Sequence, residues 1–383
     1  MAADRDPAAP GFALADRRAL VSAEDEQGVA RLAAGEQVDG LIAPGIDWPV
    51  AVAARVAAQL GLPHPLTPAA ALLATSKVRQ RERFAEVGVP QPRWALVHSL
   101  AELQGLAVGP PCVVKAPDRQ GQRGLSLVPL KAPANALEAA VETAIAASRS
   151  GAALLEELAP GSEVTVNAFS AGGIFHALTV TDRLTADPPA FGVALAHAWP
   201  ARDGGEAAAS VARAAVEALG IGEGPTYTQL RLGPDGAQVI EVAARLGGGH
   251  DAELCEAALG VDLNGLALAA ALGRRVSAGE LAGSPRVGGA CVHFLVAPPG
   301  ELRAVEGVED ARALPGVHDV RIYQSPGQRI GPLRLGADRA GALLAVGDSR
   351  DDALARADEA ASRIRFRTVW SRTDRDGSLG RGD

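Results

Sequence analysis

Two short apolar runs joined by a Gly-Pro-Asp-Gly turn, residues 227–232 and 237–243, predict a β-hairpin near the middle of the chain. Alternate side chains of a strand share a face, so Glu241 and Arg245 would point the same way. On such a hairpin Gln229 would face Glu241 across the strand pair. Three consecutive glycines follow, so the hairpin presents an acid, an amide and a base beside a glycine-rich segment.

These polar side chains suggest a site for a cation and an anion. Glu241 and Gln229 would supply a carboxylate and an amide oxygen, the ligand type that Mg²⁺ prefers while it keeps several waters. Arg245 would stand just beyond, where it can stabilise negative charge. The simpler alternative is a surface Glu–Arg pair of little energetic value. An acid inside the run Val-Ile-Glu-Val-Ala fits that alternative poorly.

Strand and helix patterns alternate along the chain and predict the α/β (α+β) class, with parallel pairing near the start. Residues 38–44 have the pattern of a buried strand, and residues 50–60 that of a helix ending at Gly61. Thr75 is a candidate N-cap for a helix over 76–87. Further elements are predicted at 112–116, 125–130, 134–147, 153–158, 163–169, 174–180, 206–219, 254–259 and 351–364.

The composition narrows the class of partner. The 383 residues carry a net charge of −8 with no basic stripe, which argues against nucleic acid. No stretch approaches the ~18 consecutive apolar residues of a membrane span. The N-terminus lacks the apolar core of a signal peptide. Three scattered cysteines favour reduced thiols, and hence the cytoplasm, over disulfides or a zinc site.

A lysine followed by a glycine-containing loop is the second polar feature. Lys115 ends an apolar strand, and Gly121 and Gly124 in the following loop would let backbone N–H groups approach a phosphate. The loop lacks the Gly-Lys-Ser/Thr ending of a P-loop and joins strand to strand, unlike a dinucleotide fold. By itself the loop is weak evidence, because a glycine-containing hairpin loop is more often plain structure than a phosphate site.

Three acids, Glu156, Glu157 and Glu163, surround a predicted strand end and turn. Taken alone, they fit a solvated sheet edge.

The order of these features resembles the ATP-grasp superfamily over nearly the whole chain. Four motifs carry the similarity. Two contain lysines: a helix with a lysine followed by Gly-Val-Pro-x-Pro (76–92) and a lysine followed by a glycine loop (113–124). The other two are an acidic hinge (155–163) and a Glu-x-x-x-Arg strand followed by glycines (238–249). Within the superfamily, Glu-x-x-x-Arg and the segment 298–348 are similar to carboxylate–amine ligases of the L-amino-acid (dipeptide) ligase kind. Biotin carboxylase and purine-pathway enzymes share the general plan.

The resemblance implies a role for each motif. It implies phosphate contacts from Lys77, Lys115 and the loop glycines Gly121 and Gly124. It implies adenine binding by the main chain of Glu156, Glu157 and Leu158, with Glu163 on the ribose. It implies Mg²⁺ on Glu241 and Gln229, stabilisation of an acyl phosphate or oxyanion by Arg245, and approach of substrate to the main chain at Gly247 and Gly248.

The sequence departs from the family pattern in two places. Many members have a carboxylate at the position of Gln229 and an asparagine at that of Ala243, and loss of the carboxylate should weaken metal binding. The start resembles a stretch that usually follows the second strand, so the first βαβ unit is expected to be absent. A homodimer would then cover the exposed edge of the first sheet.

The resemblance also implies a domain plan. We expect an N-terminal α/β domain over 1–97 and a lid subdomain with the glycine loop over 98–158. The remainder, 159–383, would comprise a large subdomain (159–283), a C-terminal α+β segment (284–372) and a disordered tail (373–383).

The sequence-based hypothesis is an ATP- and Mg²⁺-dependent ligase that joins a small-molecule carboxylate, such as an amino acid, to an amine through an acyl phosphate. One alternative is a nucleotide-binding protein with weak or no catalysis. Another is a carboxylating or purine-type ligase.

Overall fold

A computed structural model describes residues 1–369 of the chain. The predicted disordered tail, 373–383, lies outside these residues.

The N-terminal region is mainly helical and has a small parallel sheet of two strands. Its elements are β1 (Ala2–Asp4), β2 (Arg18–Leu20), α1 (Glu26–Glu36), α2 (Asp47–Leu60), α3 (Pro68–Ala74) and α4 (Lys77–Val87), with a 3₁₀ helix at Pro10–Ala13. Gly61 ends α2 in the left-handed conformation at φ 68°, as its position predicts. Thr67 caps α3 and is followed by proline at the first helical position.

Two expectations for this region are wrong. Residues 38–44 form no strand: none of them is buried and none pairs with a strand within the described chain. Gly40 packs where a Cβ would meet the Ala271 carbonyl at 2.4 Å. The cap of α4 is Ser76, whose hydroxyl accepts from the Arg79 N–H. Thr75 instead donates its hydroxyl to the Ala71 carbonyl and ends α3.

A four-stranded antiparallel sheet follows, in the order β3-β6-β4-β5. Its elements are β3 (Trp94–Val97), β4 (Cys112–Lys115), β5 (Ser126–Val128), α5 (Ala136–Ala147) and β6 (Ala153–Glu157), with a 3₁₀ helix at Leu100–Leu103. The inner face of α5 packs on the sheet through Val141 and Ala144, which contribute to a core with Val114 and Leu155. Burial of this apolar face stabilises the sheet and positions the loop between β4 and β5.

The largest sheet has eight antiparallel strands in the order β11-β10-β7-β8-β9-β12-β16-β14. Its first part comprises β7 (Ser162–Ala171), β8 (Ile174–Thr185), β9 (Ala194–Trp199), α6 (Gly205–Ala218), β10 (Gly224–Gly233) and β11 (Gly236–Ala243). The register of β10 and β11 pairs Gln229 with Glu241, which confirms the hairpin and the facing of these two residues. Apart from β1 and β2, all paired strands in residues 1–369 are antiparallel, so the parallel pairing predicted near the start is confined to one short pair.

The rest of the described chain completes this sheet and adds a three-stranded one, β15-β13-β17. Its elements are α7 (Asp251–Leu259), α8 (Leu263–Ala271), α9 (Ala278–Leu281), β12 (Gly289–Leu295), β13 (Gly300–Glu306), α10 (Val308–Arg312), β14 (Val317–Ile322), β15 (Arg329–Ile330), a 3₁₀ helix at Gly336–Asp338, β16 (Gly341–Gly347), α11 (Arg350–Arg363) and β17 (Arg365–Val369). Over residues 1–369 we find no single helix long and apolar enough to cross a membrane; by length and composition alone the pair α7 and α8 passes, with a 117° bend between them.

Candidate active site

One cavity of about 860 Å³ is lined by both larger sheets, the N-terminal region and the C-terminal segment. It brings together most of the residues that the sequence singled out: Lys77, Lys115, Gly121, Glu156, Glu157, Leu158, Glu163, Gln229, Glu241, Arg245 and Gly248. Gly124 and Gly247 are outside its lining. The sequence motifs, which are far apart along the chain, therefore converge on one site.

Lys77 and Glu241 form an ion pair inside the cavity. Lys77 is the first residue of α4, and its Nζ lies 2.7 Å from Glu241 Oε1 and 2.9 Å from the Arg119 carbonyl oxygen. Burial by itself would lower the pKa of Lys77, but Glu241 and Asp47 raise it above its ordinary value. Burial favours the neutral form of Glu241, whereas Lys77 and Lys115 lower its pKa. Both groups are therefore charged at neutral pH.

A second, more deeply buried cluster centres on Glu156. Its carboxylate oxygens lie 2.7 Å from Arg81 Nε and 2.7 Å from Lys115 Nζ. Burial works against the charge on Glu156, and the two cations nevertheless lower its pKa. Arg81 also donates to the Val239 carbonyl at 2.9 Å, which ties α4 to β11. Sequence reasoning missed Arg81, which sits four positions after Lys77 on the same helix.

The main chain next to Glu156 already has partners. The Glu157 N–H donates to the Arg93 carbonyl at 2.9 Å, and the Leu158 N–H donates to the Pro111 carbonyl at 3.2 Å. The Glu157 side chain forms an exposed ion pair with Arg93. These segments line the cavity, but their N–H groups are engaged within the protein.

Glu163 holds a third cluster, and this one involves Gln229. The Glu163 carboxylate accepts hydrogen bonds from Arg183 and from the Gln229 amide, and Arg231 NH1 lies 3.5 Å away. Burial would lower the pKa of Arg183, but Glu163 raises it. Although Gln229 pairs with Glu241 in strand register, its amide nitrogen is donated to Glu163. The sequence carried no signal for this contact, because Glu163 and Gln229 lie on neighbouring strands that are distant along the chain.

Arg245 is paired with a residue that sequence reasoning did not single out, Asp47. Arg245 Nε lies 2.5 Å from Asp47 Oδ1, and NH1 donates to the Leu246 carbonyl at 2.8 Å. Burial disfavours the charge on Arg245, yet Asp47 raises its pKa. Asp47 is the first residue of α2, at the helix terminus where an acid interacts favourably with the macrodipole. The sequence signal that could have identified Asp47 is its position as an acidic residue in the first turn of a helix.

The glycines differ in what their conformation allows. Gly121 has φ +67° and open space where a Cβ would be, so the loop main chain is accessible. At Gly124, φ is +69° and a Cβ would meet that of Ala147 at 2.7 Å, so this glycine lets the loop pack on α5. At Gly247 a Cβ would meet an Asp251 carboxylate oxygen at 2.2 Å, which makes close packing its evident structural role.

The loop between β4 and β5 lines the cavity and is held at both sides of it. Gln120 Oε1 accepts from the Asp47 N–H at 3.0 Å, and Gln122 Oε1 accepts from the Gly336 N–H at 3.1 Å. Gln122 itself has φ +65°. The loop therefore contacts both the N-terminal region and the C-terminal segment, which encloses the space between them.

The donor groups present fit a magnesium ion that is shared with a substrate. Within residues 1–369 no group of three or more His, Cys, Asp or Glu side chains is arranged to hold a metal. Glu241 and Gln229 offer a carboxylate and an amide at the cavity wall. Mg²⁺ is commonly held by one or two carboxylates together with water and substrate phosphates, so this set fits that mode.

Comparison with known sequences connects the C-terminal segment to a ligase family. Residues 293–369 match the family model for L-amino acid ligase C-terminal domain 2. The uncharacterized protein y4rH of Sinorhizobium fredii (strain NBRC 101917 / NGR234) is 31% identical over 317 residues, which are 79% of this chain and 63% of that protein. The chain thus covers less than two thirds of that relative's length.

Comparison with solved structures identifies the fold. The L-amino acid ligase from Bacillus licheniformis superposes with a TM-score of 0.80 at 23% identity, covering 92% of this chain and 88% of that one. The biotin carboxylase domain dimer of the Hydrogenobacter thermophilus 2-oxoglutarate carboxylase, in complex with MgADP, ADP and bicarbonate, gives 0.72 at 17% identity, covering 96% and 86%. The chain therefore shares its fold with these two proteins, and its residues 293–369 are similar to C-terminal domain 2 of L-amino acid ligases.

Proposed function

We propose that this protein uses ATP and Mg²⁺ to join a carboxylate to an amine, through an acyl phosphate, with release of ADP and phosphate. The observation that carries the proposal is the convergence of Lys77, Lys115 and Arg245 on one cavity, each held by a carboxylate. Three oriented cations suit a reaction in which a polyphosphate is bound and negative charge moves. The matched L-amino acid ligase segment supports the same reaction class.

In this proposal the triphosphate lies along Lys77 and Lys115, under the main chain at Gly121, while Gly124 supports the loop. The segment Glu156–Leu158 adjoins the adenine, and Glu163 the ribose hydroxyls. Because the N–H groups of Glu157 and Leu158 are engaged, carbonyl oxygens or a small shift of the hinge would supply the adenine contacts.

Glu241 and Gln229 would hold Mg²⁺, which supplies charge neutralisation on the phosphate oxygens when bound. Glu241 must exchange its Lys77 contact for the metal, and Lys77 is then free for phosphate. Gln229 must likewise turn from Glu163. Lys77, Lys115 and Arg245 thus each have a carboxylate partner before substrates arrive.

Arg245 is the proposed catalytic residue. The substrate carboxylate attacks the γ-phosphorus, forming the acyl phosphate as ADP leaves. The amine then attacks the acyl carbon, and collapse of the tetrahedral oxyanion expels phosphate while the nitrogen loses its proton. Arg245, oriented by Asp47, would stabilise the oxyanion. Gly248 at the cavity wall, next to the tightly packed Gly247, would let substrate approach the main chain.

The domain division at residues 97, 158 and 283 stays a prediction, as do a homodimer and action in the cytoplasm. Three buried free cysteines, Cys112, Cys255 and Cys291, support a reducing compartment.

A phosphate-release screen tests the function. Purified protein with ATP and Mg²⁺ is offered amino acids, small acids, amines and bicarbonate, singly and in pairs, with product detected by mass spectrometry. Release that requires both a carboxylate and an amine supports the proposal. Release that requires bicarbonate would indicate the carboxylating alternative. ATP binding without release in any pairing would indicate a binding protein, a reading favoured by the engagement of Gln229 with Glu163.

A further inference from the structure

A guanidinium group supplied by the C-terminal segment reaches the same cavity. Arg339 follows the 3₁₀ helix Gly336–Asp338 and lines the cavity. Its Nε donates to the Gly336 carbonyl at 2.7 Å, and its Cζ lies 3.7 Å from the ring centroid of Phe294. Phe294 is 2% exposed, so the aromatic ring fixes one face of the guanidinium. Backbone and ring together hold Arg339 in place.

Arg339 differs from its neighbours in having no carboxylate. Lys77, Lys115, Arg183 and Arg245 are each within 4 Å of an acid. Over residues 1–369, Arg339 forms no ion pair, and its NH1 and NH2 groups make no hydrogen bond. Burial lowers the pKa of Arg339, and the charge of Arg183 acts in the same direction. An anion bound beside NH1 and NH2 would counteract both of these influences on the pKa of Arg339 and would accept two parallel hydrogen bonds.

The surroundings of Arg339 are aromatic and polar. Tyr323 and His250 line the cavity beside it, with Tyr323 Oη 2.5 Å from His250 Nε2 and their rings stacked at 6.1 Å. Tyr227 and Asp251 are close enough to act on Arg339 electrostatically, and Tyr227 is likewise within reach of Arg245. Arg339 and Arg245 are therefore two separate guanidinium groups that line one cavity.

The proposed reaction consumes one carboxylate, the one that ATP phosphorylates to the acyl phosphate. An amine substrate that is itself an amino acid keeps a free carboxylate throughout. Building on the proposed ligase reaction, we infer that Arg339 binds the free carboxylate of the amine substrate, so that this enzyme discriminates amino acids from simple amines. Arg339 is then a specificity residue on the C-terminal segment, remote in sequence from Arg245.

The test compares each amino acid with its own carboxamide. A carboxamide cannot be phosphorylated as the acyl substrate, so it reports on the amine position alone. With the acyl substrate held constant, kcat/KM for acid and carboxamide is measured in the wild type, Arg339→Met, Arg339→Lys and the exposed control Arg303→Met. Equilibrium binding of the same amino acids and carboxamides, in the presence of ADP and Mg²⁺, is measured alongside, together with binding of ATP alone.

We expect the wild type and Arg303→Met to prefer the acid by about 10- to 100-fold, the range of a charge-assisted hydrogen-bonded pair. Arg339→Met should abolish this preference by raising KM for the acid, with ATP binding unchanged. Arg339→Lys should keep part of the preference, and it serves as the test variant if Arg339→Met does not fold.

An unchanged acid preference in the Arg339 variants would overturn the inference while leaving the ligase proposal intact. Weakened ATP binding with unchanged acid preference would also overturn it, and would assign Arg339 to a phosphate. Loss of acid-selective binding in Arg339→Met, in a protein that shows no turnover with any pair, would support the site even though the ligase proposal fails.

Discussion

Arg245 and Asp47 form an ion pair at 2.5 Å although 198 positions separate them in the chain. The pair joins the strand end after β11 to the first turn of α2, so the N-terminal region helps to orient the proposed catalytic group. Gln120 of the glycine loop contacts the same turn through the Asp47 N–H. The glycine loop and Arg245 therefore share Asp47 as a contact.

Arg245→Ala tests the catalytic assignment. We expect turnover to fall by about a hundredfold or more, because a preorganised donor to the oxyanion is lost. ATP affinity should stay nearly unchanged, since the phosphate contacts come from Lys77 and Lys115. Phosphate release and equilibrium ATP binding are measured together, with Arg303→Ala as an exposed control. Equal loss of turnover and of ATP affinity would remove Arg245 from the proposed role.

Glu156→Gln tests the buried charge cluster. The substitution leaves Arg81 and Lys115 buried without their anion, so we expect the free energy of unfolding to fall by about 3–5 kcal/mol. Urea unfolding measures this change. The neighbouring Glu157→Gln is the matched control, because its pair with Arg93 is exposed and should contribute nothing measurable. Similar effects from the two substitutions would contradict the cluster's structural role.

Asp251 should contribute to stability in a pH-dependent way. Burial alone would raise its pKa, but His197, Asn167 and the Gly249 N–H lower it from 3.8 to about 2. A lowered carboxyl pKa stabilises the folded state above the unfolded value and loses that contribution as pH falls through the folded value. Between about pH 4 and pH 2 the wild type should therefore lose roughly 2 kcal/mol more unfolding free energy than Asp251→Asn.

Chemical unfolding across that pH range gives the comparison, with the exposed Asp348→Asn as a control that should follow the wild type. Parallel curves for the wild type and Asp251→Asn would show that the Asp251 contacts carry no net stability.

Gln229→Glu tests the metal site. A second carboxylate opposite Glu241 should lower the Mg²⁺ concentration needed for half-maximal turnover, because divalent affinity rises with ligand charge. In the metal-free protein the new charge would face Glu163, so thermal stability should fall unless Mg²⁺ is added. A titration of turnover and of melting temperature with Mg²⁺ measures both. Glu241→Gln should shift the requirement upward; an unchanged requirement in both variants would exclude these residues as ligands.

Several features were predictable from the sequence because their causes are local. Gly61 ends α2, and Thr67 followed by proline starts α3, since caps and glycine conformations depend on a few neighbouring residues. The turn between β10 and β11 sets the pairing as far as Leu230 with Val239. A bulge between Gln229 and Leu230, which the turn residues do not predict, then places Gln229 opposite Glu241. The fold was predictable for a related reason, because the chain's motifs resemble those of the ATP-grasp superfamily in order and spacing, and the solved structures it matches share its fold.

Other features depended on the tertiary structure, because they arise where separate segments meet. Residues 38–44 have an apolar strand pattern, yet they remain unburied and join none of the sheets of residues 1–369. Two contacts join elements that are far apart in the chain: that of Gln229 with Glu163 and that of Arg245 with Asp47. The lack of an acidic partner for Arg339 within residues 1–369 likewise depends on which segments meet around it. Sequence thus determined which residues carry charge and which local elements present them. Folding decided which charges neutralise one another, because burial makes each pairing depend on the spatial neighbours of a side chain.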